Sequence, residues 1–152
     1  MPPDDPLALL ESPATRCEGA RLLAARGDRG ALLPLVRAYL RAGEGGGACL
    51  LEAIRDLGPA EGARELFGGG AEARAAAVRL LELFPDDAVL DVLERALSDP
   101  DAAVRAGALR ALPLQWRTGA WQALLTRLLS SADAEVRAAA AALLAEQGSG
   151  GG

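Results

Sequence analysis

The sequence predicts an all-α fold built from stacked helix pairs. Three related segments, AEARAAAVRLLEL, DAAVRAGALRAL and DAEVRAAAAALLAE, place Arg74, Arg105 and Arg137 at intervals of 31 and 32 residues. A unit of this length that recurs along a chain is typical of helical repeats, in which neighbouring units stack to bury one continuous core. Hydrophobic residues make up 51% of the chain but aromatic residues only 3%. The core is therefore expected to consist of Ala and Leu, two strong helix formers.

Glycine and proline divide the chain into helices, because both residues end helical periodicity. We expect four paired units preceded by a partial one, or about four to five units in all. The predicted helices are Leu7 to Leu10, Ser12 to Arg26, Arg29 to Ala42, Ala48 to Leu57, Ala60 to Phe67, Ala71 to Phe84, Ala88 to Leu97, Asp99 to Leu112, Trp116 to Leu129 and Ala134 to Gln147.

The clearest helix start lies between Leu97 and Leu112. Ser98 or Asp99 is expected to cap the new helix, and Pro100 suits its first turn, where a missing N–H costs nothing. Asp101 adds negative charge at the positive end of the helix dipole. An earlier helix contains Pro34, which is expected to bend it from an interior position.

This start resembles that of the second helix in a HEAT repeat, where an Asp, a spacer and Val-Arg follow one another, here Asp99, Val104 and Arg105. The resemblance is to bacterial HEAT-like repeats of the phycobilin-lyase type and implies a right-handed α-solenoid. It also implies a hydrogen-bonded ladder between repeats. The ladder positions are Asp99, Arg74, Arg105 and Arg137, with Gly68 and Ser131 in place of the other Asp residues. On this basis Arg105 is expected to stabilise the fold, by pairing with Asp99, more than to bind a partner.

The resemblance covers about Asp28 to Gln147, and the length of the chain fits one domain, so we expect a single repeat domain at residues 1–147 and a disordered glycine-rich tail at 148–152. Cys17 and Cys49 lie 32 residues apart without a CxxC motif. They are expected to be buried free thiols at similar places on neighbouring helices.

Composition disfavours most kinds of chemistry. There is no His, the commonest general base and metal ligand, and no nucleophile or phosphate-loop motif. We therefore expect a protein that is not an enzyme and needs no cofactor or metal. All 16 basic residues are Arg, which indicates a GC-rich genome. The net charge of −5 disfavours nucleic-acid binding, which needs basic residues to neutralise the phosphates. No apolar run approaches a membrane span and no leader pattern is visible, so we expect a cytoplasmic protein.

Two features are candidates for partner binding. Arg79 and Arg110 each follow a ladder arginine by five residues and should therefore lie in a row. The row is either a solvated polar edge or a groove for an acidic partner, and by resemblance the second helices line the concave face. Trp121 fits the apolar stripe of its helix, whereas Trp116 is either packed or a partner contact.

These features favour an adaptor or scaffold that binds another protein along its surface, one with an acidic segment if the arginine row is the site. Two alternatives by resemblance are a HEAT-like lyase or chaperone for a tetrapyrrole-carrying protein and a HEAT-like DNA-binding module. A co-purified chromophore would favour the first alternative, and salt-sensitive binding to duplex DNA the second.

Overall fold

The computed structural model describes residues 5–43 and 45–150, with side chains described as far as residue 147. This part of the chain contains ten α-helices and no strand. They are α1 (Pro6–Leu9), α2 (Arg16–Arg26), α3 (Leu32–Ala42), α4 (Ala48–Leu57), α5 (Pro59–Leu66), α6 (Ala71–Leu83), α7 (Leu90–Ala96), α8 (Ala102–Ala111), α9 (Trp121–Leu128) and α10 (Ala134–Gly150). Consecutive helices pack in pairs, α1 with α2 through to α9 with α10. The predicted all-α solenoid is confirmed.

The pairs stack to form one core. Helix α2 packs along α4, α6 packs along α8, and α3 packs against both α5 and α6. The core is made of Leu, Ala and Val with one Ile and Trp121, and its largest fully buried side chains include Leu32, Leu35, Leu50, Ile54, Leu80, Leu93, Leu112, Leu124 and Leu125. Gly62 lets α5 approach Leu32 of α3, because a Cβ at this position would collide with the Leu32 side chain.

The capping residue of α8 differs from the prediction. Asp101 is the N-cap, and its carboxylate accepts hydrogen bonds from the backbone N–H groups of Ala103 and Val104 at 2.8 and 3.3 Å. Pro100 therefore precedes the helix instead of lying in its first turn. Asp99 does not cap the helix. Its carboxylate accepts from the Asp101 N–H at 2.9 Å and from Arg74 of the preceding repeat.

Several predicted helices begin later than expected, among them α2, which begins at Arg16 instead of Ser12. Arg29–Ala31 forms a separate 3-10 turn, so that α3 begins at Leu32 and Pro34 lies in its first turn. A proline there loses no intrahelical bond, and the expectation that Pro34 lies in the interior of the helix was wrong. Likewise Leu112–Gln115 forms a 3-10 turn and α9 begins at Trp121, which leaves Trp116 in the connection before the helix.

The expectation of free cysteines was wrong. Cys17 on α2 and Cys49 on α4 form a disulfide with their Cα atoms 5.5 Å apart. Both side chains are half-buried, and the bond links the second helices of the first two units. Their predicted equivalence on neighbouring helices explains why the two sulfurs meet.

A disordered tail was expected at residues 148–152. In the structure α10 continues to Gly150, so residues 148–150 are helical. Gly151 and Gly152 lie outside the described residues. Among the helices of the described ranges, none combines the length and the hydropathy needed to cross a membrane.

Candidate functional site

A groove runs between α3, α6 and α8 and so crosses the second, third and fourth units. We call it the α3–α8 groove. Its volume is about 340 Å³. Its apolar lining comes from all three helices and consists of Leu33, Val36, Leu40, Ala75, Ala76, Val78, Ala103 and Gly107.

The structure brings both arginines of the predicted row into this groove. Arg79 lines it from α6 and Arg110 from α8. The contribution of α3 was not predicted, since only second helices were expected there. Leu40 of α3 is more than half exposed and lines the groove.

Arg79 is engaged within its own helix. Its Nη1 lies 3.2 Å from a carboxylate oxygen of Glu82, three residues later, and both side chains are partly buried. The Nε of Arg79 is buried and has no hydrogen-bond partner in the described residues. Much of the charge of Arg79 is thus neutralised before any partner arrives.

A second arginine at the groove is also paired. Arg37 of α3 donates to the carboxylate of Glu72 on α6, with its Nε 2.7 Å from Oε2. This hydrogen bond lowers the pKa of Glu72, so that the ion pair persists to a lower pH than an unpaired Glu would allow. The pair joins the second unit to the third and is exposed to solvent.

Arg110 is the exception among the arginines of the groove. It is exposed, lies in the last turn of α8, and makes no ion pair within the described ranges. An apolar surface therefore has one uncommitted guanidinium at its edge. A guanidinium in this state can engage a carboxylate through two parallel hydrogen bonds.

The ladder residues have structural partners, but Asp99 is paired differently from the expectation. Its carboxylate accepts from Arg74 of the preceding repeat, at 2.8 Å from Nε and 3.2 Å from Nη2. The hydrogen bond from Arg74 lowers the pKa of Asp99. Arg105 instead donates to the backbone carbonyl oxygens of Asp99 and Pro100, at 2.7 and 3.1 Å.

Arg137 repeats the pattern of Arg105 by donating to the carbonyl oxygen of Ser131 at 2.7 Å. Each of these arginines thus secures the turn before its own helix. Of the three ladder arginines, Arg74 also reaches a carboxylate in the next unit within the described residues, whereas Arg105 does not, because a serine stands at the position equivalent to Asp99 in the last unit.

Other arginines were not singled out from the sequence and prove to link successive units. The pairs are Arg41 with Glu11, Arg29 with Glu65, Arg64 with Asp91, and Arg127 with Glu94. The signal that could have found them is opposite charges separated by approximately one repeat length. Since these arginines are engaged in the fold, they are poorer candidates for partner binding than Arg110.

Trp116 and Trp121 have different environments. Trp121 is 4% exposed, and its Nε1 donates to the carbonyl oxygen of Leu112 at 2.8 Å. Trp116 is 57% exposed, and the guanidinium of Arg117 stacks on its ring at 4.6 Å from the centroid. The sequence allows Trp116 to be either packed or a partner contact, and the structure places its side chain largely in solvent.

The architecture defines the protein as an α-solenoid built from helix-pair repeats. A family model described as HEAT repeats matches residues 69–145, half of the chain, and the protein belongs to this family. Neither the curated proteins nor the solved structures include a match to the chain. HEAT repeats generally serve as protein-interaction modules and typically as non-enzymatic scaffolds.

Proposed function

We propose that this protein is a non-enzymatic adaptor that binds a partner protein in the α3–α8 groove. The observation that carries the proposal is the uncommitted guanidinium of Arg110 beside an apolar groove that crosses three units. A solenoid offers its partner an extended surface of this kind, assembled from successive repeats. Apolar contact supplies affinity, and a charged group at the edge fixes the register of the partner.

The partner segment carries a carboxylate. Arg37 and Arg79 are balanced by Glu72 and Glu82, so Arg110 gives the groove a net positive charge. The chain as a whole has a net charge of −5, so this local charge stands out against an acidic surface. An acidic partner is therefore oriented toward the groove at short range, where solvent screening is weakest.

Arg110 contributes more to binding than Arg79 does. A partner carboxylate at Arg79 competes with Glu82, which is already in place, whereas one at Arg110 displaces only water. Reversal of both charges in Arg79→Glu with Arg110→Glu is expected to lower affinity at least tenfold, a change of about 1.4 kcal/mol. Most of this loss is expected to remain in Arg110→Glu alone.

Site-specific photo-cross-linking in cells of the source organism tests the proposal. Ala103 lines the groove and is exposed, so a benzoylphenylalanine at this position faces the bound segment. We expect one dominant cross-linked protein, and we expect Arg110→Glu to reduce the yield of the product several-fold.

Arg26→Glu is the matched control, because Arg26 is also exposed and lies in the last turn of its helix, α2, outside the groove. Both reversals place a negative charge at the negative end of a helix dipole and carry a similar small cost in stability. A product whose yield is unchanged in Arg110→Glu, or is reduced equally in Arg26→Glu, would place the partner elsewhere.

A further inference from the structure

A second exposed surface lies between α8 and α9, away from the lining of the groove. Three of its side chains are exposed, namely Leu114, Trp116 and Arg117, and we call them the Trp116 platform. Aromatic residues form only 3% of this chain, and the other tryptophan is buried. Exposed Trp and Arg are the side chains most often found to dominate binding energy at interfaces.

Buried hydrogen bonds hold the platform from below. Gln115 lies between Leu114 and Trp116 and is fully buried. Its Nε2 donates to the carbonyl oxygen of Leu81 in the preceding unit at 2.9 Å and to that of Ala111 at 3.0 Å. The backbone beneath Trp116 is therefore tied both to its own unit and to the one before it.

Asp87 holds the other end of the same connection. Its carboxylate accepts from the backbone N–H groups of Ala120 at 2.8 Å and Gly119 at 2.9 Å. These two bonds, with the larger effect from Ala120, lower the pKa of Asp87, so that its carboxylate stays charged further into the acidic range than usual. A connection fixed at both ends presents Trp116 in one position, and a preorganised side chain loses less entropy on binding.

The chemistry of the platform selects the kind of ligand. The indole ring offers a flat surface for stacking with an aromatic or aliphatic side chain. Arg117 covers part of this ring and makes no ion pair within the described ranges, so its N–H groups are available to a carboxylate. Its cation–π contact keeps the guanidinium next to the site where the apolar group docks.

We infer that the Trp116 platform is a second docking point for a protein segment in which an aromatic side chain is flanked by acidic residues, and that Asp87 and Gln115 are its positioning residues. The aromatic side chain packs on Trp116 and Leu114, and an adjacent carboxylate binds Arg117. This surface is separate from the α3–α8 groove, and either site can fail experimentally without the other.

Single-stranded nucleic acid also stacks on tryptophan, but the surroundings favour a protein. Binding of single strands needs a positively charged path for the phosphates. Arg117 is the one basic residue in the connection of residues 112–120, so this stretch offers one cation for a carboxylate and no continuous path for phosphates. One arginine in this setting matches a carboxylate better than a phosphate backbone.

The test is an NMR titration with three short peptides, acetyl-Glu-Phe-Glu-amide, acetyl-Glu-Ala-Glu-amide and acetyl-Lys-Phe-Lys-amide. The Trp116 indole N–H and the Arg117 Nε–H are the reporters, and the buried Trp121 indole is the internal reference. We expect Glu-Phe-Glu to bind about tenfold more tightly than either of the others, since each lacks one of the two contacts. Equal affinities, or shifts at Trp121 as large as those at Trp116, would overturn the inference.

Variants separate binding from positioning. Trp116→Ala and Arg117→Ala are each expected to lower the affinity for Glu-Phe-Glu at least fivefold. Leu22→Ala removes a leucine on α2 that is as exposed as Leu114, and it should leave the affinity unchanged. Asp87→Ala is expected to weaken binding about threefold and to speed hydrogen exchange at the Gly119 and Ala120 amides. Asp87→Asn, which keeps an acceptor oxygen, restores part of both effects.

Two further outcomes would count against the inference. Binding by Trp116→Ala equal to that of the native chain would remove the platform as the site. Tighter binding of an oligothymidylate of about ten nucleotides than of Glu-Phe-Glu at the same salt concentration would replace the protein segment by a nucleic acid.

Discussion

Removal of the Asp99 carboxylate is expected to be one of the most damaging single changes in the second half of the chain. The Asp99 side chain is 4% exposed, and Arg74, its partner in the preceding repeat, is 21% exposed. Asp99→Ala deletes both hydrogen bonds from Arg74 and the acceptor for the Asp101 N–H. It also leaves a partly buried guanidinium without a counter-charge.

The magnitude follows from the burial of the carboxylate. Removing one partner of a buried ion pair costs about 3–5 kcal/mol, and the partial exposure of Arg74 places Asp99→Ala near the lower end, at about 3 kcal/mol. For a chain of this size each kcal/mol lowers Tm by about 2–4 °C. We therefore expect Tm to fall by about 6–12 °C.

Thermal and urea unfolding followed by circular dichroism measure this effect. Asp101→Ala is the matched control, because Asp101 is two residues away and accepts from two backbone N–H groups without an ion pair. Loss of this N-cap should cost about 1 kcal/mol of stability, as is typical for N-cap residues. Arg105→Ala should also cost only about 1 kcal/mol, since its bonds end on carbonyl oxygens and leave Asp99 paired with Arg74. If Asp99→Ala costs no more than these two variants, the link between repeats is not a stabilising contact.

The same carboxylate gives a prediction about pH. Its folded-state pKa lies below the ordinary value of about 3.9, because Arg74 stabilises the charged form. The stabilisation is therefore fully present above about pH 4 and is lost as the pH falls through the folded-state pKa. Asp99→Asn should be less stable at pH 7 and should lose less further stability between about pH 4 and pH 2 than the native chain does.

Three further changes test other contacts. Ser131→Asp should raise stability by about 1 kcal/mol, because it gives Arg105 a carboxylate across the crevice that both residues line. Ser130→Asp should not raise stability, and unfolding in urea measures both variants. Equal effects of the two changes would refute the placement of Arg105. Thiol titration of unfolded, unreduced protein should find no free thiol, and the double change Cys17→Ser with Cys49→Ser should cost about 3–4 kcal/mol for a separation of 32 residues; two reactive thiols in the purified protein would contradict the link. Gly62→Ala should destabilise by about 1–3 kcal/mol because its Cβ collides with Leu32, and an unchanged Tm would show that α3 and α5 are not closely packed.

The repeat architecture could be predicted because each signal is local. The spacing of Arg74, Arg105 and Arg137, the glycine breaks and the helical runs of Ala and Leu each depend on residues near in sequence, and the helices lie close to the predicted ranges. The errors fell at helix starts. Asp99, Pro100 and Asp101 all favour a helix N-terminus, and only tertiary pairing of Asp99 with Arg74 leaves the capping role to Asp101.

The partners of side chains across repeats could not be predicted from the sequence. The spacing of Cys17 and Cys49 predicts equivalent positions on neighbouring helices but not a disulfide. The 5.5 Å between their Cα atoms depends on how α2 packs along α4. The groove arginines were placed correctly on neighbouring helices. Their different states, Arg79 paired with Glu82 and Arg110 uncommitted, emerge only when the side chains are in place.

The central claim is that a partner binds in the α3–α8 groove. Hydrogen–deuterium exchange tests it most directly, with the protein measured alone and in complex with the purified partner that cross-linking identifies. A bound segment should slow exchange in peptides that cover 33–40 of α3, 72–82 of α6 and 103–110 of α8, which line the groove. Peptides from α2, which contributes no lining residue, should be unchanged. Protection confined to these three helices is the predicted result, and protection that spares them while appearing elsewhere would contradict binding in the α3–α8 groove.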